Sequence, residues 1–128
     1  MPSSQYAALL ALTVLSLVIA LQILLAGGLP LGRAAWGGQQ RVLPPRMRWA
    51  SLAAAILLGV AAQVVAARAG LVPGGDAAMV RVAVWVFAGF FALNTLANVV
   101  STSRVERFVM APMTLLLLAC FVVVALSS

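Results

Sequence analysis

Four hydrophobic stretches, at about residues 6–26, 48–68, 77–100 and 104–126, occupy most of this 128-residue chain. A helix needs about 20 mostly apolar residues to cross the hydrocarbon core of a bilayer, and each stretch supplies that length. Lipid offers no partner to a free backbone N–H or C=O, so only helices or a closed barrel can span it. Barrel strands are about 10 residues long and alternate apolar with polar, which these stretches do not. The expected fold is therefore all-α, an integral membrane four-helix bundle forming a single transmembrane domain over 1–128. Charge content agrees: 8% of residues are charged, against about 25% in a soluble domain.

The chain carries a net charge of +6, and every basic residue is arginine. In a soluble protein that would point to nucleic acid, but the arginines are placed by the helices. Arg33, Arg41, Arg46 and Arg48 fall in or beside the first connection (27–47), and Arg104 and Arg107 flank the third. The second connection has only Arg68 and Arg81, partly offset by Asp76. Arginine-rich short loops stay on the cytoplasmic side. This predicts connections one and three inside and both termini extracytoplasmic, in a bacterial cytoplasmic (inner) membrane. The expected partners are the lipid bilayer and its anionic headgroups, with no role for nucleic acid. The first stretch lacks the positive start of a signal peptide and is too long for one, so it is expected to be retained.

Turn residues punctuate the helices. Ser3 or Ser4 is a candidate cap for the first, which stops at Gly27-Gly28 and Pro30. Pro30–Trp36 reads as one short helical turn, halted by Gly37-Gly38, with Trp36 and Trp49 at the membrane interface. Gly70 and Pro73 close the second helix, and Asp76 is a candidate cap for the third. Ser103 and Glu106 have capping-box spacing at the start of the fourth. Pro112 then lies inside that helix, where it frees the carbonyl of Phe108 and should kink the chain.

The parts for catalysis are missing. Histidine is absent, the one cysteine (Cys120) sits deep in the fourth helix, and both carboxylates read as caps. No enzyme activity, metal or cofactor is expected, and a proton relay would need an intramembrane carboxylate, which this reading does not find. Neutral polar residues remain. Asn94 and Asn98 continue the stripe of Phe87 and Phe91 on one face of helix three. Gln22 and Ser51 lie at similar depth. These four are candidates for a polar vestibule at the cytoplasmic end, or for hydrogen bonds between helices. Ala55, Gly59, Gln63 and Ala66, with Ala88 and Ala92, are spaced as a close-packing helix seam, internal or between protomers. Arg33, Trp36, Arg41, Arg46 and Arg48 are the candidate contacts for a partner or a lipid headgroup.

The stretch Leu29-Pro30-Leu31-Gly32-Arg33-Ala34-Ala35-Trp36-Gly37-Gly38, then Leu43-Pro44-Pro45-Arg46 and Ser51, resembles a pattern in small four-helix integral membrane proteins of bacteria. Ser103-Arg104-Val105-Glu106-Arg107 with Pro112 is similar to their third connection, while Leu31 stands where they often carry tryptophan. The resemblance implies a four-helix bacterial membrane protein and no particular activity. The function expected first is a non-catalytic accessory or interaction subunit, meeting a membrane-protein partner through its arginine-rich connection. The alternatives are a small transporter or channel working as a homo-oligomer through the polar vestibule, and an anionic-lipid-binding protein.

Overall fold

A computed structural model describes residues 2–127. It contains four long helices: α1 (Ser3–Ala26), α2 (Pro45–Arg68), α3 (Ala78–Val99) and α4 (Ala111–Ser127), the last preceded directly by a π turn over Glu106–Met110. All four are long and apolar enough to cross a membrane, counting α4 together with its π turn. At 1.5 Å rise per residue, the 24 residues of α1 or α2 extend about 36 Å, enough for the ~30 Å hydrocarbon core.

Helix starts follow local chemistry more than hydropathy. Pro2, extended, precedes α1, and no serine side chain caps it. Pro44 does the same for α2, with Pro45 in the first turn; there the missing N–H costs nothing, because first-turn donors lack intrahelical partners anyway. Ala77, not Asp76, occupies the cap of α3. Asp76 is drawn instead to Arg68, 3.6 Å away. At the far end of α1, Gly28 takes φ +90° and Leu29 N–H reaches back to Leu24 O at 3.2 Å. That left-handed closure is open to glycine and strained for other residues.

In lipid the hydrophobic effect does not drive helix association; close packing does. The most extensive contact is α1 on α2, and their buried faces include Ala8, Ala11 and Ala61, all fully covered. Small side chains there let the helices approach closely. α4 packs along both α1 and α3, whereas α2 and α3 meet less extensively. In the centre, Phe91 stands edge-on to Phe121 at 5.0 Å between ring centroids. Gly59 does not form an internal seam: a Cβ there would have nothing within 4 Å, and Gln63 is exposed while Ala55, Ala66 and Ala88 are buried.

Pro112 leaves its mark one turn early. Ala111 N–H bonds to Glu106 O, five residues back, so the turn before the proline widens. Proline lacks an N–H and crowds the carbonyl four residues earlier; a wider turn accommodates both constraints.

Candidate functional site

The first connection does not hang below the bundle; it folds under it. Ala35 and Leu43 are buried against Leu25 in a small apolar cluster of their own. On either side of Ala35 the chain makes two 3-10 turns, Gly32–Ala34 and Trp36–Gly38, rather than one helical turn. Trp36, Gly37 and Gly38 all have positive φ, at 54°, 81° and 69°. Two glycines bear that conformation cheaply; Trp36 is in it at a cost.

This left-handed bend serves a hydrogen-bond network. Trp36 donates its indole N–H to Ser51 Oγ at 2.8 Å, which satisfies a hydroxyl that is fully buried in α2. Trp36 is thus tied into the bundle rather than floating free at an interface, whereas Trp49 is 73% exposed. Gly37 N–H donates to Glu106 Oε2 at 3.3 Å. Ser103 donates its hydroxyl to Arg33 O at 2.5 Å, and Arg33 returns across its own loop to Gly38 O at 2.7 Å. Residues from the first connection, α2 and the start of the fourth helix are locked together.

Glu106 corrects the capping-box expectation. Its own N–H lies 3.4 Å from Ser103 Oγ, which is half of that motif. The other half is absent: Ser103 N–H is taken by Ser101 Oγ at 3.0 Å. The carboxylate is 5% exposed and accepts from Ser101 Oγ at 2.5 Å and from Gly37. A buried carboxylate is present after all, at the arginine-rich end of the bundle.

It lines a cavity of about 490 Å³, within the range of ordinary small-molecule pockets. The polar lining is Gln22 of α1, Trp36, Asn94 and Asn98 of α3, Glu106 and Thr114. Ala53, Ala54 and Leu57 of α2 with Phe90 and Phe91 of α3 form the apolar wall. Ala53 and Leu57 are themselves exposed, so the cavity opens on the side where α2 and α3 part. Three of the four vestibule candidates, Gln22, Asn94 and Asn98, meet here. Ser51 does not line the space, because the Trp36 indole covers its hydroxyl. Gln22 Oε1 is buried without a hydrogen-bond partner. Thr114, which the sequence reading did not single out, accepts from Thr95 Oγ1 at 3.0 Å across α3 and α4.

The arginine candidates divide. Arg33 braces its own loop, and Arg48 donates Nε–H to Ala26 O at 2.9 Å, satisfying one of the free carbonyls at the end of α1. These two are committed within the fold. Arg41 and Arg46 are exposed and make no side-chain hydrogen bond or ion pair among the described residues. Cys120 is buried in α4. No known protein family, curated protein or solved structure matches the chain.

Proposed function

We propose that this is a non-catalytic integral membrane protein that takes a small amphipathic molecule into its central cavity. The arginine-rich end faces the cytoplasm and both termini lie outside, in a bacterial inner membrane. The observation that carries the reading is the convergence of Gln22, Asn94, Asn98 and Glu106 on one space of about 490 Å³ with an apolar wall. Polar side chains in a bundle interior lose hydration unless they find partners. Purely interhelical bonding would pair them with one another. Instead Gln22 Oε1 has no partner, and Asn94 Nδ2 turns to its own helix, at Phe90 O, 2.8 Å away. The opening between α2 and α3 supports entry from the lipid, and a transporter built from several copies is compatible with it.

The test uses the full chain in uncharged nanodiscs and 4-phenylbutan-1-ol as probe, with titration calorimetry as readout. Binding to the wild type is expected. Ala54→Phe, which fills the cavity from α2, should remove binding while leaving the unfolding midpoint close to wild type. Equal binding by both proteins, or none by either, refutes the reading. A second reading, an interaction subunit or anionic-lipid binder, draws its support from Arg41 and Arg46, two exposed guanidinium groups that make no hydrogen bond or ion pair among the described residues.

A further inference from the structure

Resting on that cavity reading, we infer that the occupant is an amphipathic organic cation, a protonated amine with an apolar body, whose ammonium group is held by Glu106 and the neighbouring amide oxygens. The one charged group lining the cavity, Glu106, is an acceptor, and several of the donors around it are committed within the fold. Asn94 commits an amide N–H to Phe90 O, Trp36 commits its indole N–H to Ser51, and Thr114 turns its hydroxyl to the carbonyls of Met110 and Ala111. The acceptors left are Gln22 Oε1, the amide oxygens of Asn94 and Asn98, and the lone pairs of Glu106 beyond its two accepted bonds, beside amide N–H groups of Gln22, Asn94 and Asn98. The strongest acceptor of that set is the carboxylate, and a positively charged head group made of donors matches it.

Charge points the same way. Glu106 has no ion-pair partner among the described residues, where the only bridge joins Arg68 to Asp76. Arg104 and Arg107 are exposed, and Arg107 lies over the Phe108 ring, 5.3 Å from its centroid. A carboxylate withdrawn from water attracts an opposite charge far more strongly than one in bulk solvent. Phe90 and Phe91 supply ring surface that suits both an apolar body and a cation. The exposed arginines disfavour approach of a cation from the aqueous side, though salt screens them beyond about 8 Å. The gap beside Ala53 and Leu57 avoids them, so the route is lateral, from lipid.

Three probes of one shape decide the matter: 4-phenylbutylamine, 4-phenylbutan-1-ol and 4-phenylbutyrate, titrated into wild type and Glu106→Gln in uncharged nanodiscs, with empty nanodiscs subtracted. The amine should bind about ten- to hundredfold tighter than the alcohol, the range a charge-assisted hydrogen bond supplies, and the acid should bind weakest. Glu106→Gln should bring the amine down to the alcohol's affinity and leave the alcohol unchanged. Equal affinity for amine and alcohol in the wild type overturns the inference while the cavity reading stands. A preference for the acid overturns it in favour of the arginines. No binding of any probe ends both. Should Glu106→Gln fail to fold, the wild-type ranking alone decides.

Discussion

Gly38 and Gly59 are both glycines in a membrane bundle, and the structure assigns them opposite responses to alanine. At Gly38 the backbone is left-handed, with φ +69°, which costs an L-residue about 1–2 kcal/mol. A Cβ there would also run into Ser103 Cβ, and would stand 2.9 Å from Ser103 Oγ and 3.1 Å from Arg33 O. Overpacking of that kind adds about 1–3 kcal/mol, while the less flexible unfolded chain returns about 0.4–1 kcal/mol. The net expectation for Gly38→Ala is a loss of about 1–4 kcal/mol. Gly59 lies in the interior of α2 with nothing within 4 Å of the new methyl, so Gly59→Ala should gain about 0.5–1 kcal/mol from helix propensity. Cys120 provides the assay, since it is the chain's one thiol and 4% exposed. A thiol-reactive fluorophore added during heating in detergent reports its exposure. Because Ser103→Gly also removes the hydroxyl's own bonds to Arg33 and Glu106, Gly38→Ala should cost less when measured against Ser103→Gly alone than against the wild type, by the part of the clash that Ser103 supplies. If Gly38→Ala unfolds at or above the wild-type midpoint, the left-handed bend under the bundle is wrong, and the Trp36 and Glu106 contacts fall with it.

Three further outcomes are expected. Trp36→Phe and Ser51→Ala should each cost about 1 kcal/mol, and the double variant should cost less than their sum, because both remove the same 2.8 Å bond; a thermal double-mutant cycle measures this, and simple additivity would exclude the bond. Asn94→Ala and Asn98→Ala should change stability by less than about 1 kcal/mol, since interhelical polar bonds average only about 0.6, yet should weaken 4-phenylbutylamine binding in calorimetry; unchanged affinity would remove these amides from the site. In a Cys120→Ser background, a cysteine at Gln40 should react with a membrane-impermeant maleimide only after the cells are opened, and one at Gly74 in intact cells; the reverse pattern would invert the proposed topology.

The helices were legible because lipid imposes a rule that reads directly in one dimension: about 20 apolar residues, without interruption, for every crossing. Depth along a helix follows from residue number, so Gln22, Asn94 and Asn98 could be placed together from the sequence. The failures lie where a contact depends on the fold of a connection. Glu106 stands three residues after Ser103, a spacing that a capping box explains completely. Nothing local reveals that the carboxylate passes over Ser103 N–H for Ser101 and for Gly37, 69 residues away in sequence. Trp36 had the composition of an interfacial anchor, and only the left-handed bend turns its N–H onto Ser51. Arg33 and Arg48 counted correctly as charge, but their donors go to carbonyls that the first connection and the end of α1 leave open. Asp76 stands one residue short of the cap, which falls on Ala77, and its exposed carboxylate lies 3.6 Å from Arg68.

Tying the first connection to the fourth helix does not by itself require a carboxylate. Ser101 and Gly37 each offer a donor, and a neutral amide oxygen could accept from either with far less desolvation. Burying a carboxylate costs several kcal/mol per ion even after relaxation. Its two hydrogen bonds, at about 1.5–3 kcal/mol each for a charged group, are of the same order as that cost, so the carboxylate brings little net stability over an amide. The carboxylate has no cation opposite it among the described residues, and it borders the cavity where Gln22 Oε1 also lacks a partner. The π turn before Pro112 bears on the same point: Glu106 accepts the five-residue backbone bond that widens the helix, so the irregular turn and the buried charge share one residue. An ionisable group within a membrane bundle is ordinarily there for what it binds. The economical account gives Glu106 two roles, holding the left-handed bend with the outer face of its carboxylate and meeting a positively charged guest with what remains.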